Sequence, residues 1–110
     1  MNLETRLKLL RALHADPSLS QRALARELDI SLGKVNYCLR ALIEKGWVKA
    51  GNFSRSPAKH RYIYQLTPQG IAAKILITRR YLKRKLVERD ALLDEIERLK
   101  SEVDAAGEKV

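Results

Sequence analysis

Cysteine and histidine are scarce in this sequence, which has one cysteine and two histidines in 110 residues. A single thiol excludes an internal disulfide, and the sequence contains neither a thiol pair nor a histidine cluster with the spacing of a zinc site. Cys38 falls near the inner side of a predicted helix, as is typical of a small core residue. We therefore expect an intracellular, metal-free protein that needs no cofactor.

Long apolar runs are also missing. Asn2, Glu4 and Thr5 interrupt any apolar stretch at the amino terminus, and no segment approaches the ~20 apolar residues of a membrane span. No Ser-His-Asp set, phosphate-binding glycine loop or pair of carboxylates can be assembled from the sequence. These absences predict a cytoplasmic protein that is neither an enzyme nor inserted in a membrane.

Proline and glycine are absent from Ile71 to Ala106. Thr67 and Pro68 supply a cap and a proline at the first helical position, so the sequence predicts one helix over 68–106, ~38 residues and ~57 Å long. In its second half, Leu92, Ile96, Leu99 and Val103 alternate at spacings of four and three, as in a coiled coil, and the apolar stripe continues before them in a less strict register. The predicted dimerisation seam consists of Leu82, Leu86, Leu92, Ile96, Leu99 and Val103.

Acidic residues are outnumbered, with 13 Asp and Glu against 22 Lys and Arg and a net charge of +9. Such a charge attracts a polyanion, either nucleic acid or an anionic membrane. Residues 71–89 hold seven basic residues and one acid, whereas residues 90–110 hold three and seven. This reversal favours antiparallel pairing of two such helices over at least part of their length.

The basic part of that helix has more than one interpretation. Its cations could contact DNA beside a binding site, pair with the acidic end of a partner helix, or form only a solvated face. They are Lys74, Arg79, Arg80, Lys83, Arg84, Lys85 and Arg89.

The segment from Ser20 to Trp47 predicts two short helices joined by a tight corner. Ser20 and Ser31 can each cap a helix start, and Asp29 stands at the corner, where it tolerates a left-handed conformation. Each helix has one apolar stripe at helical spacing. The stripes are Leu24, Ala25 and Leu28 in the first helix, and Val35, Leu39, Leu42 and Ile43 in the second.

A further helix precedes this pair. Asn2 can cap it, Leu3, Leu7, Leu10 and Leu13 fall on one side, and Pro17 ends it near Ala15. His14 is predicted at its end, where a cation is favoured.

Aromatic residues make up only 5% of the sequence. Together with β-branched residues, they concentrate after Gly46, a glycine placed to end the preceding helix. The segments 47–53 and 61–67 predict a hairpin. The connecting residues 54–60 contain a proline, small residues and two cations but no acid, so we expect an exposed positive tip.

The outward positions of the segment 31–45 are candidates for contact with DNA bases. Asparagine can bind adenine and arginine can bind guanine through two hydrogen bonds, and Gly33 allows the backbone to approach DNA closely. The alternative is an ordinary solvated helix face. The candidates are Ser31, Leu32, Gly33, Lys34, Asn36, Tyr37 and Arg40.

Two other regions could contact the phosphate backbone. Gln21 and Arg22 lie in the first turn of their helix, where the backbone is electropositive; they could equally be ordinary surface residues of a helix start. The hairpin carries cations that could grip the backbone or enter the minor groove, or simply increase solubility. The hairpin candidates are Arg55, Lys59, His60 and Arg61.

These elements predict a mainly α fold with a small β-hairpin. A winged helix-turn-helix occupies residues 1–67, a long carboxy-terminal dimerisation helix residues 68–106, and a tail residues 107–110. Two copies would bind double-stranded DNA with helices 31–45 in major grooves at half-sites about 34–36 Å apart, or a multiple of that distance, and wings 47–67 alongside.

The order of elements resembles that of the MarR family of winged-helix transcriptional regulators over about residues 3–75. The resemblance is carried by LLRALHADPSLSQRALARELDISLGKVNYCLRALIEKGWV and YIYQLTPQG. It implies a bacterial, homodimeric regulator of transcription that associates with the nucleoid when bound to DNA. In the family, helices from both ends of the chain usually form the dimer, and small ligands are often sensed at their junction. Here one helix follows the wing, no small-molecule effector is evident, and Asp29 replaces the common glycine.

A narrower resemblance concerns the segments ISLGKVNYCLRALIEKGWVK and LTPQGIAAK. They look like the small MarR-type regulators associated with exopolysaccharide gene clusters, which implies control of polysaccharide production.

Two other functions remain open at this stage. A winged helix can serve as a scaffold without binding DNA, with the long helix recruiting a protein partner. A basic helix lying on an anionic membrane is less consistent with the sequence, because the cations of 71–89 surround the helix rather than forming one polar face.

Overall fold

The computed structural model describes residues 2–52 and 62–107. In this part of the chain the elements follow the predicted order and type, which confirms a mainly α fold with one small hairpin. They are α1 (Leu3–Ala15), α2 (Gln21–Leu28), α3 (Leu32–Glu44), β1 (Val48–Asn52), β2 (Tyr62–Leu66) and α4 (Pro68–Ala105).

The first three helices begin at the predicted caps. The side chain of Asn2 accepts a hydrogen bond from the Thr5 amide at 2.7 Å. Ser20 and Ser31 accept in the same way, each at 3.1 Å, from the third amide that follows. Each cap satisfies a backbone donor that the helix leaves unpaired, so local chemistry fixes where these helices start.

The corner between α2 and α3 has the predicted left-handed residue. Asp29 adopts φ 55° and ψ 49°, and its amide bonds back to the last turn of α2. Gly46 ends α3 with φ 77°, so both bends beside α3 are set by the backbone conformation of a single residue.

The core lies between α1, α2 and α3. Its fully buried side chains are Leu9, Leu10, Leu13, Leu24, Val35, Cys38, Leu39 and Leu42. The predicted buried faces of the helices were wrong at several positions. Leu9, which was not predicted to be buried, is buried. Of the residues predicted to be buried, Leu3, Ala25 and Leu28 are half-buried and Ile43 is exposed. A helix that packs against several neighbours buries a wider stripe than one that lies at the edge of the core.

The hairpin is tied to the helices at its base. Its strands pair antiparallel from Val48 with Leu66 to Asn52 with Tyr62. The amide of Tyr64 also donates to the carbonyl of Pro17 at 3.1 Å, and both Tyr64 and Leu66 are buried. The base of the wing is therefore part of the folded core.

Thr67 joins the end of α3 to the start of α4. Its hydroxyl donates to the carbonyl of Gly46 and accepts from the amide of Gly70, as predicted for a cap. Gly70 packs so closely on Trp47 that an added Cβ would overlap the Trp47 carbonyl oxygen. A side chain at position 70 is therefore excluded by backbone contact.

The chain divides into two compact units, Met1–Thr78 and Arg79–Val110. The first unit extends beyond the boundary predicted at residue 67, because Gly70, Ala73 and Ile77 of α4 are buried. In the second unit no described residue is buried. Its large exposed apolar side chains are Leu82, Leu86, Val87, Leu92, Leu93, Ile96 and Leu99.

Candidate nucleic-acid interface

The outer face of α3 is uncovered in the chain. Burial of Val35, Cys38, Leu39 and Leu42 fixes the rotation of the helix, and the predicted base-contacting residues consequently fall on the other side. Every one of them is exposed: Ser31, Leu32, Gly33, Lys34, Asn36, Tyr37 and Arg40.

The chemistry of this face suits a polyanion. Tyr37 exposes 67% of its surface, Lys34 and Arg40 supply positive charge, and the first acid on the helix is Glu44. Apart from the adjoining residues and the backbone of α3 itself, no described atom lies within 4 Å of a Cβ added at Gly33, so the start of α3 presents bare backbone to a ligand. Ser31 is exposed, but its hydroxyl is already engaged in capping Lys34.

Gln21 connects three elements through its side-chain amide. Its Nε2 donates to the hydroxyl oxygen of Tyr64 at 2.9 Å, and its Oε1 accepts from Nδ2 of Asn36 at 3.3 Å. Both polar ends of Gln21 are thus engaged within the protein, in a position where the sequence suggested a phosphate contact.

Arg22 is exposed in the first turn of α2. Because the amino end of a helix is electropositive, an anion bound there would meet both the guanidinium and the helix terminus. The wing residues Arg55, Lys59, His60 and Arg61 lie outside the described residues, so their predicted role remains a prediction.

Trp47 is flanked by two cations where α3 ends and the wing begins. The guanidinium carbon of Arg6 lies 5.5 Å and Nζ of Lys45 5.1 Å from the centre of its ring. Nε of Arg6 is buried without a hydrogen-bond partner among the described residues. Lys45, the last residue of the predicted recognition segment, therefore has the indole ring as a neighbour.

His14 lies in the last turn of α1, as predicted. Its Nδ1 lies 2.9 Å from Nζ of Lys74, and because an ammonium group can only donate, Nδ1 is the acceptor. Lys74, one of the predicted basic cluster, is thereby tied to α1.

Two other members of the basic cluster contact acids on their own helix. Nζ of Lys85 lies 3.1 Å from Glu88, and Arg89 lies 3.1 Å from Asp90. The hydrogen bond to Glu88, assisted by Tyr81, raises the pKa of Lys85 above its ordinary value. These pairs are exposed to solvent, so each contributes little to stability.

Neither a membrane span nor a metal centre emerges from the described part of the chain. Among residues 2–52 and 62–107, no helix is both long and apolar enough to cross a bilayer. In the same ranges, no three His, Cys, Asp or Glu side chains lie together as metal ligands would.

Residues 3–49 match the family profile described as winged helix-turn-helix DNA-binding. This match covers α1, α2, α3 and the start of β1, the same segment that places the exposed face of α3. No curated protein matches the sequence.

Several solved transcriptional regulators have a similar fold. The MepR–DNA complex from Staphylococcus aureus is 20% identical, with a TM-score of 0.68 over 96% of this chain and 77% of that one. PcaV from Streptomyces coelicolor is 20% identical, with a TM-score of 0.65 over 92% and 79%.

A MarR/EmrR family regulator from Acinetobacter sp. ADP1 is 19% identical, with a TM-score of 0.63 over 92% of this chain and 75% of that one. At such identities the likeness establishes architecture. The chain has a winged helix-turn-helix followed by a long helix, the fold found in these regulators.

Proposed function

We propose that this protein is a sequence-specific regulator of transcription that binds double-stranded DNA as a homodimer. The observation that carries the proposal is the uncovered outer face of α3, which is polar and cationic as far as Glu44. The major groove of DNA is wide enough to admit an α-helix. The match of residues 3–49 to a DNA-binding profile also supports contact between α3 and DNA.

Base recognition is assigned to Asn36 and Arg40. They lie four residues apart on α3 and both are exposed, so they fall about 6 Å apart along the helix axis. Asparagine can bind adenine and arginine can bind guanine through two hydrogen bonds each. Lys34 and Tyr37 flank them, and Gly33 allows the helix start to approach the groove.

Phosphate contacts are assigned to the start of α2 and to the wing. Arg22 adds a guanidinium to the electropositive end of α2. Arg55, Lys59, His60 and Arg61 would extend this contact along the backbone or into the minor groove. Such contacts hold the protein in register and carry no sequence information.

Binding measurements on selected and random duplexes test these assignments. Asn36→Ala or Arg40→Ala should weaken binding to a selected site by about 1–3 kcal/mol and leave random DNA nearly unaffected. Lys59→Ala or Arg61→Ala should weaken binding to every sequence and reduce its salt dependence.

Lys8→Ala is a matched control, because it removes the same charge from the exposed side of α1. It should leave both affinities unchanged. Equal losses on selected and random DNA for Asn36→Ala would remove Asn36 from the base contacts. Failure of the wild-type protein to prefer any duplex would favour a protein-interaction scaffold instead.

Self-association is assigned to the second half of α4. Five of the six seam residues share one heptad row and Leu86 lies one position beside it. Five of the six are exposed, from Ile96 at 37% to Leu82 and Leu92 at 56%. Val103 is half-buried. A second copy is the occupant that we propose for this stripe, since the charge pattern of the same helix is complementary to itself when reversed.

The heptad also determines the orientation that we propose. Counting back from Leu92 by three and four places Arg89 and Lys85 in the same row as Leu82. A parallel pair would set Lys85 against Lys85 and Arg89 against Arg89 at the centre of the seam. An antiparallel pair centred between residues 90 and 91 instead places Arg89 opposite the partner's Leu92, with acidic residues nearby.

Sedimentation tests the assembly, and cross-linking tests its orientation. The full chain should be dimeric, whereas a chain ending at Lys85 should be largely monomeric. In a Cys38→Ala background, an equal mixture of Leu82→Cys and Leu99→Cys chains should form disulfide-linked dimers, while neither variant alone should do so. Cross-linking of Leu82→Cys with itself would establish the parallel arrangement.

Control of exopolysaccharide genes is the narrowest part of the proposal. It is supported by the resemblance of 30–49 and 66–74 to small MarR-type regulators, and it places the protein in a bacterial cytoplasm, on the nucleoid when bound. Sequencing of genomic fragments captured by the protein should recover promoters of polysaccharide genes. Recovery of unrelated promoters alone would reject this target while leaving DNA binding intact.

A further inference from the structure

The hydrogen-bonded chain from Tyr64 through Gln21 to Asn36 links the wing to the face of α3. Tyr64 is buried in β2, Gln21 is half-buried at the start of α2, and Asn36 is exposed on α3. The two bonds measure 2.9 Å and 3.3 Å. The exposure of the three side chains thus increases from the core toward the proposed DNA contact.

The buried end of this chain is fixed. The backbone amide of Tyr64 donates to the Pro17 carbonyl at 3.1 Å, and the residue as a whole is 9% exposed. Gln21 is attached to that ring through its Nε2, so its Oε1 is held at the edge of the groove-facing surface. An isolated exposed glutamine would instead sample many rotamers.

The exposed end of this chain determines which atoms Asn36 presents. An asparagine amide has two N–H donors and one carbonyl acceptor. One N–H of Nδ2 is directed to Gln21, and among the described residues the other donor and the Oδ1 acceptor have no hydrogen-bond partner. A donor beside an acceptor is the pair that adenine requires at N7 and N6 in the major groove.

We infer that Gln21 is a positioning residue for base recognition, which holds the Asn36 amide in the orientation that reads adenine and couples that orientation to the wing through Tyr64. The inference rests on the proposed function, because it assigns a role within the same DNA-binding surface. It gives the side chain of Gln21 a part in specificity, whereas the sequence suggested a phosphate contact.

Pre-organisation is the physical basis of the effect. Without Gln21, the Asn36 amide must be ordered when DNA binds, and it can also turn its two donors outward, which favours other bases. Loss of these hydrogen bonds should therefore reduce the preference for adenine at one base pair, while the affinity for DNA in general and the folding of the protein are retained.

Two substitutions break these hydrogen bonds with little change in the shape of the side chain. Gln21→Met keeps the length of the side chain but removes both hydrogen bonds, and Tyr64→Phe removes only the anchoring hydroxyl. Base preference at every position of the site would be measured by selection from random duplexes, for each variant and for Asn36→Ala. Thermal unfolding of each protein would confirm that the fold is retained.

Both variants should lower discrimination for adenine at the base pair lost in Asn36→Ala, by about tenfold, and leave preference at the base pair assigned to Arg40 unchanged. Gln21→Met in an Asn36→Ala background should have no further effect. Arg22→Ala, one residue away, should weaken binding to all sequences equally.

A uniform loss of affinity in Gln21→Met, or additive losses in the double variant, would overturn the positioning role while leaving DNA recognition intact. A wild-type protein with no preference at any position would overturn the proposed function itself.

Discussion

The two compact units of the chain differ in how far their apolar side chains are buried. In Met1–Thr78, the leucines that form the core, among them Leu10, Leu24 and Leu39, are excluded from water. In the described part of Arg79–Val110, every large apolar side chain except the half-buried Tyr81 and Val103 is exposed. Yet one helix, α4, contributes residues to both units.

This difference shows where each unit obtains its stability. Isolated helices are marginal in water, and most helical stability in proteins comes from packing of one face. The first eleven residues of α4, 68–78, have that packing, whereas the exposed ion pairs of the second unit contribute little. The second unit lacks such packing within its own chain, which is why we propose that a second copy covers it.

The largest effect of a substitution is expected in the first unit, and a small effect there would contradict the difference between the two units. Leu10→Ala removes a fully buried side chain of α1 and should lower the free energy of unfolding by about 2–5 kcal/mol, since it leaves a cavity. Urea unfolding followed by circular dichroism would measure it. Leu76→Ala, at a position 60% exposed, should change stability by less than about 0.5 kcal/mol.

A smaller effect is expected in the second unit, and on a different quantity. Leu92→Ala should weaken self-association by about 1.5–3 kcal/mol per chain, because that side chain is buried only against a partner. Sedimentation equilibrium would measure it. Val87→Ala serves as a control, since Val87 is 68% exposed and lies outside the heptad seam. Equal losses for the two variants would argue against the proposed seam.

The smallest effect is expected where α4 begins. Gly70→Ala should destabilise the protein by about 1–3 kcal/mol, because the methyl group would overlap the Trp47 backbone. Gly33→Ala meets open space on α3 and should stabilise it by about 0.5–1 kcal/mol. Thermal unfolding of the pair would compare them, and a stable Gly70→Ala protein would show that α4 can shift away from Trp47.

Local chemistry made most of the fold predictable. The caps at Asn2, Ser20 and Ser31, the left-handed Asp29, and the end of α3 at Gly46 all follow from residues within a few positions. The exposed face of α3 followed from helical periodicity alone. The end of α4 was placed to within one residue because glycine and proline are absent as far as Ala106.

The remaining features depend on contacts between distant segments. Gln21 and Tyr64 are 43 residues apart, and Asn36 lies 15 residues from Gln21, so no local pattern reveals that they meet. The burial of Leu9 and the close contact of Gly70 with Trp47 likewise depend on how helices pack. Periodicity predicts which side of an element is apolar, but not which neighbour lies against it.

Cys38 offers a practical consequence of this packing. It is the one thiol in the sequence, and its side chain is 1% exposed on the inner side of α3. A thiol-specific dye can reach it only when α3 separates from the core, so the labelling rate reports that opening directly. Labelling of Cys38 in the wild-type protein thus measures how often α3, the helix that we propose enters the major groove, separates from the core.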